Sequence, residues 1–252
     1  MKKIPKILHY CWFGRGEKPQ DIQEYIAEWK KKLNDYEFME WNEDSFIIEQ
    51  ANDYVKEAYA AKKYAFVSDY VRLKVLYEHG GIYLDTDVEV KKPFQSLIEN
   101  QSMVLGFESD KSLLTAFIAV EKNHFIIKEF MESYEGRHFK DALGLCDFTT
   151  INDGFSRLMQ KYGVDLEQNI YQEINDIKVY PVEYFCGFDV KNWHTKITEN
   201  TYMVHHMASS WVQGNKGIKL KIIKALQTII GIDNYDKLKK RVKKNVSSKG
   251  LL

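Results

Sequence analysis

The chain has 252 residues and a formal net charge of zero at pH 7, because 36 lysines and arginines balance 36 aspartates and glutamates. This balance excludes a dedicated nucleic-acid binder, whose domain would be strongly basic. The 44% of hydrophobic and 14% of aromatic residues exclude a disordered acidic chain. The charges are unevenly distributed. Residues 216–252 hold eleven basic and two acidic residues, a net charge of +9, which leaves −9 for residues 1–215.

In the first half of the chain, predicted strands alternate with predicted helices. The elements are a strand at 7–13, a helix at 20–33, a strand at 36–41, and helices at 44–61 and 64–79. The last helix is the clearest, because Val67, Val71 and Val75 lie four residues apart and Gly80-Gly81 follows as a stop signal. A short buried strand, 82–84, then leads directly into Asp85-Thr86-Asp87.

The second half continues the alternation. Strands are predicted at 103–107, 117–120, 177–180 and 202–205, and helices at 123–135 and 152–162. Strands that alternate with helices predict an α/β fold with a mostly parallel central sheet and flanking helices. We expect one domain over residues 1–215 and a helical tail over residues 216–252.

The cysteines and the hydropathy of the chain indicate in which cellular compartment the protein is expected. Cys11, Cys146 and Cys186 are too few and too scattered for a disulfide framework or a CxxC zinc site, so reduced thiols in a cytoplasmic protein are expected. The N-terminal sequence lacks the apolar region of a secretory signal. No stretch approaches the roughly 18 apolar residues of a membrane-spanning helix. Membrane contact, on the inner face of the plasma membrane, would therefore be peripheral.

Asp85 and Asp87 form the first candidate site. In an extended backbone, residues two apart point to the same side, so the two carboxylates converge at the end of a buried strand. Such a hard-oxygen pair suits Mg²⁺ or Mn²⁺, and the ion could neutralise a diphosphate leaving group. The alternative is a polar loop that simply follows the strand.

Asp69 and Arg72 favour the metal-site interpretation. They are three residues apart on the predicted helix 64–79 and share a face of it. Because Asp69 falls between Val67 and Val71 on a mostly buried helix, a role beside a ligand explains the pair better than a surface ion pair does.

Two other functions are compatible with parts of the sequence. Haloacid-dehalogenase phosphatases also place a DxD after a hydrophobic strand, but their pattern continues with Thr or Val where this chain has Glu89. Their DxD also usually follows the first strand, whereas here it follows 80 residues. A non-enzymatic carbohydrate-binding or membrane-surface module is the third alternative.

Three sequence blocks resemble glycosyltransferase family 32. Residues 65–87, AFVSDYVRLKVLYEHGGIYLDTD, closely resemble its sugar-binding region, whose pattern is S-D-x-x-R followed by G-G-x-Y-x-D-x-D. Residues 4–14 resemble the family's N-terminal P-K-x-I-H-x-x-W strand, and residues 204–211 its C-terminal H-H-x-x-x-S-W block. The family includes yeast-type mannosyltransferases and bacterial capsule and lipopolysaccharide transferases, and the glucosylating clostridial toxins share the sugar-binding region.

The resemblance implies a GT-A type fold and transfer of a sugar, with retention of configuration, from a nucleotide-diphosphate sugar. It favours a UDP-sugar donor, Mn²⁺ or Mg²⁺ as the cofactor, and a glycan or lipid-linked acceptor in capsule or lipopolysaccharide synthesis. No nucleic acid is expected as a partner. Because no carboxylate stands out as a nucleophile, we favour a front-face reaction in which the leaving diphosphate helps to deprotonate the acceptor hydroxyl.

The resemblance also implies roles for individual residues. Asp85 and Asp87 would bind the metal, and Asp85 would also contact the donor. Asp69 and Arg72 would hold the hydroxyls of the donor sugar. Further donor contacts are assigned to His9, Trp12, Ser68, Tyr83, Ser210 and Trp211.

Three assignments remain open at this stage. A third metal ligand would come from His206 or from His205, and only one can reach the metal if the segment is extended. Asn152 and Asp153 are candidates for the acceptor pocket. Trp211 could donate its indole N–H to a phosphate or could be a core tryptophan.

The tail has the pattern of an amphipathic basic helix. Its apolar residues lie four, four and three apart, and most of its lysines fall off that stripe. One interpretation is docking of residues 216–252 on an anionic membrane surface. The alternative is a C-terminal helix that packs on the body by its apolar stripe.

Overall fold

The computed structural model describes residues 4–189, residues 194–207 and Gly231. In these parts of the chain the strands are β1 Ile7–Cys11, β2 Glu37–Trp41, β3 Gly81–Leu84, β4 Val88–Val90, β5 Met103–Ser109, β6 Ser112–Leu113, β7 Phe117–Val120, β8 Gln172–Ile174, β9 Ile177–Tyr180, β10 Phe188–Asp189, β11 His194–Thr195 and β12 Met203–His205. The helices are α1 Gln20–Lys32, α2 Asp53–Ala60, α3 Tyr64–His79, α4 Gln95–Ile98, α5 Phe125–Glu132, α6 Ile151–Lys161 and α7 Val182–Phe185, with a 3-10 helix at Ile48–Gln50.

An eight-stranded sheet forms the centre of the fold. Its order is β2-β1-β3-β7-β5-β9-β8, and β6 pairs with β5. Strand β1 pairs in parallel with β2 and β3, and β5 pairs in parallel with β9. Strand β7 lies between β3 and β5 and is antiparallel to both. The α/β class is therefore confirmed, and β1, β2, β3, β5 and β9 all run in one direction.

The sheet is mixed because some connections are short. Only residues 110–116 join β5 to β7, and β6 lies within them. A parallel crossover needs a dozen or more residues, so a connection of this length makes the two strands antiparallel. Antiparallel pairing of β8 with β9 has the same origin, because only residues 175–176 lie between them.

Two hydrophobic clusters cover the two faces of this sheet. Along β3, Ile82 and Leu84 belong to one cluster and Tyr83 to the other, as the alternation of strand side chains requires. Helix α3 packs Val67 and Val71 into the Tyr83 cluster. Helix α1 packs against the opposite face, where the buried Trp29 donates its indole N–H to the Val88 carbonyl at 2.8 Å.

The Gly80-Gly81 pair turns the chain from α3 into β3. Both residues have positive φ, 66° and 102°. A Cβ at Gly81 would lie 2.4 Å from the Ile7 carbonyl oxygen, and one at Gly80 would lie 2.5 Å from the Lys122 nitrogen. Only glycine fits at either position without displacing a backbone. This tight turn places the start of β3 beside β1.

The predicted helix 44–61 is wrong in its first half. A 3-10 helix covers Ile48–Gln50, and α2 begins only at Asp53. The physical reason is a cap, because the Asn52 side chain accepts a hydrogen bond from the Val55 nitrogen at 3.0 Å.

The predicted tail, residues 216–252, lies outside the described residues except for Gly231. Within the described residues, the helices are too short or too polar to cross a membrane.

Candidate active site

Two carboxylates and one imidazole converge at the end of β3. Asp85 and Asp87 follow this strand, and β4 begins immediately after them. Strand β12 pairs antiparallel with β4, and this pairing places His205 directly opposite Val88. Ligand atoms of Asp85, Asp87 and His205 all lie within 4.8 Å of one another. The His205 Nε2 atom is 3.3 Å from the Asp87 Oδ1 atom.

This donor set fits a divalent cation. Two carboxylates with one imidazole suit Mn²⁺, which accepts oxygen and nitrogen ligands. The Nδ1 atom of His205 is buried and has no hydrogen-bond partner among the described residues, so the ring is not saturated by protein contacts. Burial alone would lower the pKa of His205, but the carboxylates of Asp87, Asp85 and Glu108 raise it to about 9.

The neighbouring His206 is directed elsewhere. Its Nε2 atom lies 3.1 Å from Glu89 Oε2, and its ring stacks on Tyr25 with centroids 5.0 Å apart and planes 4° apart. Its backbone nitrogen donates to the Asp87 carbonyl at 3.0 Å. The structure therefore brings His205, rather than His206, to the carboxylate pair.

Arg72 joins α3 to the end of β3. Its Nη2 atom lies 2.7 Å from Asp69 Oδ1 and 3.3 Å from Asp85 Oδ1, while Nη1 donates to the Thr115 carbonyl at 2.8 Å. The Arg72 and Asp69 side chains are only 5% and 11% exposed. This is a buried ion pair in contact with the acidic cluster, not a surface i,i+3 pair.

The carboxylates around Arg72 differ in their environments. Burial raises the pKa of Asp69 to about 6, although Arg72 opposes the shift. Tyr83 donates its hydroxyl to Asp85 Oδ1 at 3.0 Å, and the Arg72 guanidinium lies 4.6 Å from the centre of the Tyr83 ring. Tyr83 and Arg72 thus both contact the same oxygen of Asp85, Oδ1, and fix its orientation.

Ser68 and His9 are bonded within the fold. The Ser68 hydroxyl donates to the Tyr64 carbonyl one turn earlier on α3, at 3.1 Å. Both ring nitrogens of the buried His9 are used, Nε2 at 2.9 Å from the Gly80 carbonyl and Nδ1 accepting from the Trp41 indole at 3.1 Å. Burial lowers the pKa of His9 to about 4. These contacts give both residues packing roles, and their contact with a donor stays a prediction.

Trp12 lies at the same edge of the sheet as Asp85, because it follows β1, which is parallel to β3. Its indole N–H donates to the Gly16 carbonyl at 2.7 Å, and the Lys18 ammonium lies 5.8 Å from its ring centre. The ring is half-buried. Stacking of a nucleotide base on it stays a prediction.

Asn152 and Asp153 lie in the first turn of α6. The Thr115 hydroxyl donates to Asn152 Oδ1, and the Thr150 hydroxyl donates to Asp153 Oδ2 at 3.0 Å. Thr115 is also the residue whose carbonyl holds Arg72. Asn152 is therefore connected to Asp85 through two intermediate residues, Thr115 and Arg72.

Glu108 is a site residue that the sequence reasoning missed. Burial raises the pKa of its carboxyl, while His205 and a hydrogen bond from Asn152 lower it, and Asp85 adds a repulsion. Glu108 stands near the end of β5, which runs in the same direction as β3. The signal was present, because a carboxylate that follows a buried strand is the same pattern that identified Asp85. The two remaining predicted donor contacts, Ser210 and Trp211, lie outside the described residues.

Comparison with known proteins bears on the same segment. Residues 19–104 match the family described as "Glycosyltransferase sugar-binding region containing DXD motif". The match includes α3, the Gly80-Gly81 turn and the Asp85–Asp87 pair. The GT-A type fold that the resemblance implies is confirmed in its α/β class and in the position of the DXD pair at the end of a central strand.

Individual relatives share part of the chain. It is 24% identical over 160 residues to inositol phosphoceramide mannosyltransferase 1 of Schizosaccharomyces pombe, covering 55% of this chain and 46% of that protein. It is 38% identical over 74 residues to lactosylceramide 4-alpha-galactosyltransferase of Rattus norvegicus, covering 28% of this chain and 19% of that protein. Among solved structures, PaToxG glycosyltransferase is similar at 24% identity with a TM-score of 0.49, covering 63% of this chain and 68% of that one. The chain thus spans less than half the length of these curated relatives.

Proposed function

We propose that this chain transfers a sugar from a nucleotide-diphosphate sugar to a glycan or lipid-linked acceptor, with retention of configuration. The observation that carries the proposal is the Asp85–Asp87–His205 cluster, in contact with the buried Arg72–Asp69 pair and largely contained in the matched region. These three residues would hold Mn²⁺ or Mg²⁺, which when bound neutralises negative charge on the diphosphate leaving group.

The chain's own residues orient the donor in this proposal. Asp69 and Arg72 hold the hydroxyls of the donor sugar, because a paired carboxylate and guanidinium offer both an acceptor and donors at a fixed position. Tyr83 keeps Asp85 aligned by its hydrogen bond. Trp12, at the same edge, offers a ring on which the nucleotide base can stack.

The reaction itself occurs on one face of the sugar. The bond between the anomeric carbon and the phosphate oxygen breaks, and a bond to the acceptor oxygen forms on the same side. The proton of the acceptor hydroxyl moves to the departing phosphate oxygen. Asn152 and Asp153, with Glu108 beside them, position the acceptor, so that catalysis depends on proximity and electrostatic stabilisation.

For the donor we propose a UDP-sugar, and for the acceptor a lipid-linked glycan of capsule or lipopolysaccharide synthesis. Two named relatives act on ceramide-based lipids according to their names, which supports a membrane-borne acceptor. The basic tail, residues 216–252, supports the same setting, since each lysine or arginine near an anionic membrane adds about 1 kcal/mol of attraction.

Turnover measurements on Asp87→Ala test this proposal. Release of the nucleotide from UDP- and GDP-sugars is measured with Mn²⁺, and we expect the variant to lose at least about a hundredfold, as removal of an electrostatic catalytic group does. Asp44→Ala removes an exposed carboxylate that pairs with the exposed Arg15, and this control should retain activity.

Three results would contradict the proposal. Wild-type turnover in Asp87→Ala, with both variants folded, would remove the cluster from the reaction. Hydrolysis of an aryl phosphate in place of a nucleotide sugar would indicate a phosphatase. Failure of the wild type to bind any nucleotide sugar would indicate a non-enzymatic binding module.

A further inference from the structure

Two leucines project from a closed loop between α5 and α6. An isolated β-bridge between Lys140 and Cys146 closes the loop. Inside it, the residues Leu143 and Leu145 are 85% and 64% exposed. We call these two side chains the apolar tip. Two leucines this exposed, two residues apart at a loop end, carry a cost in water that the fold itself does not offset.

Four backbone N–H groups of the loop that carries the apolar tip are bonded within the loop. Asp141 Oδ1 accepts from the nitrogens of Leu143 and Leu145, both at 2.9 Å. The Asp141 nitrogen donates to the Leu145 carbonyl at 3.0 Å, and the Gly144 nitrogen donates to the Asp141 carbonyl at 2.9 Å. These four N–H groups, of Asp141, Leu143, Gly144 and Leu145, would therefore keep their hydrogen bonds in an apolar medium.

The base of this loop is fixed to the body. Phe148 packs edge-on against the buried rings of Phe66 and Phe139, with centroids 5.8 and 6.2 Å apart. Arg137 contacts Asp147 through Nε and Nη2 at 3.0 and 2.6 Å. Its guanidinium also lies 4.7 Å from the ring centre of Tyr54. The base of the loop is therefore fixed to the body, while the apolar tip is exposed to solvent.

The same loop leads into the acceptor side of the candidate active site. Leu145 precedes Asn152 by seven residues. Lys63, whose ammonium lies 5.7 Å from the Phe148 ring centre, immediately precedes α3, the helix of Asp69 and Arg72. Arg137 acts electrostatically on Asp69 itself. A membrane or partner surface that contacts the apolar tip would therefore lie close to the acceptor side of the candidate active site.

We propose that the apolar tip inserts into the acyl layer of a lipid bilayer and holds the acceptor side of the site against the membrane. Cations at the loop base, Lys63 and the exposed Lys140, fit the phosphate layer, where lysine and arginine lie when apolar neighbours are immersed. A second copy of the chain fits less well. With the partly exposed Phe148, the leucines offer on the order of 400 Å², against about 800 Å² per partner in a stable complex.

Binding to neutral vesicles isolates the apolar tip from the basic tail. We measure sedimentation of the full chain with phosphatidylcholine vesicles at 1 M salt, where the Debye length is about 3 Å and tail electrostatics are screened. We expect the wild type to bind, and Leu143→Ser/Leu145→Ser to bind at least about tenfold more weakly, since burying one leucine is worth a factor of that order. Ile170→Ser replaces an isoleucine that lies outside this loop and is 50% exposed, so it is the matched control and should bind like the wild type.

A second variant reports insertion directly. Leu143→Trp should be quenched by brominated acyl chains more than the wild-type tryptophans are. Absence of wild-type binding, equal binding of the double variant, or no added quenching would overturn the proposal. Self-association abolished by the double variant would likewise overturn it and identify a second copy as the occupant.

This proposal rests on the proposed function in one respect: the membrane is expected to present a lipid-linked acceptor to the site. Nucleotide release from UDP-sugars without a lipid acceptor is therefore measured in parallel, and we expect the double variant to match the wild type. If the wild type itself releases no nucleotide, the proposed sugar transfer is contradicted. The vesicle-binding measurement would still decide whether the apolar tip inserts into a bilayer.

Discussion

Replacing Arg72 by methionine tests the buried ion pair that joins α3 to the acidic cluster. The substitution keeps much of the side-chain volume but removes the contacts to Asp69, Asp85 and the Thr115 carbonyl. Removing one partner of a buried pair costs about 3–5 kcal/mol, because the remaining charge stays buried without compensation. With both side chains only 5% and 11% exposed, we expect Arg72→Met to lower the free energy of unfolding by about that amount at pH 8.

The cost should depend on pH in a defined direction. The pKa of Asp69 is already raised to about 6 by burial, and loss of Arg72 raises it further. In the variant, Asp69 takes up a proton as the pH falls, so the uncompensated charge disappears. The destabilisation is therefore expected to be smaller at pH 5 than at pH 8.

Urea unfolding at both pH values measures this cost. Lys74→Met is the matched control, because Lys74 lies on the same helix and pairs with Glu78 at a half-exposed position, where the pair is worth about 0.3–0.5 kcal/mol. If Arg72→Met costs no more than this control, or if its cost does not change with pH, the buried pair does not stabilise the site as described.

Three further predictions concern other positions. The pKa of His9 is lowered to about 4, whereas its value in the unfolded chain is about 6.5. Between these two pH values the folded state binds fewer protons than the unfolded state. The free energy of unfolding should therefore fall by up to about 3 kcal/mol as the pH drops from about 6.5 to about 4. Urea unfolding of His9→Gln should lack this part of the slope, and an equal slope would contradict it. The pKa of His205 is raised to about 9, so Mn²⁺ must displace a proton from this ring when it binds below that pH. Titration calorimetry should show that the affinity for Mn²⁺ rises about tenfold for each pH unit up to pH 9. The His205→Asn variant should show no such rise. Gly81→Ala should destabilise by about 2–3 kcal/mol more than Gly163→Ala, because both have positive φ but only the Gly81 Cβ would meet a backbone oxygen at 2.4 Å; equal melting temperatures would refute the close contact.

The local part of the site was predictable from the sequence. Asp69 and Arg72 share a face of one helix, and Asp85 and Asp87 follow one strand, so their spacing alone brings each pair together. The stop signal at Gly80 was also readable, since a glycine pair after a periodic helix indicates its end.

What the sequence could not decide depends on long-range pairing. The choice between His205 and His206 is made by the antiparallel register of β12 with β4, more than 100 residues earlier in the chain. The sheet is mixed for a related reason, because strand direction follows from connection length and pairing rather than from alternation of elements. Glu108 follows a buried strand as Asp85 does, but its place beside Asp85 depends on the common direction of β5 and β3, which brings their ends to one edge.

A thermal-shift titration with Mn²⁺ and UDP-sugars tests the central claim most directly. A ligand that binds only the folded state raises its melting temperature. We expect wild-type protein to be stabilised by a UDP-sugar only when Mn²⁺ is present, and Asp87→Ala to show no such metal-dependent shift. A shift of equal size without metal, or one that persists in Asp87→Ala, would contradict a metal-assisted nucleotide-sugar site at Asp85, Asp87 and His205.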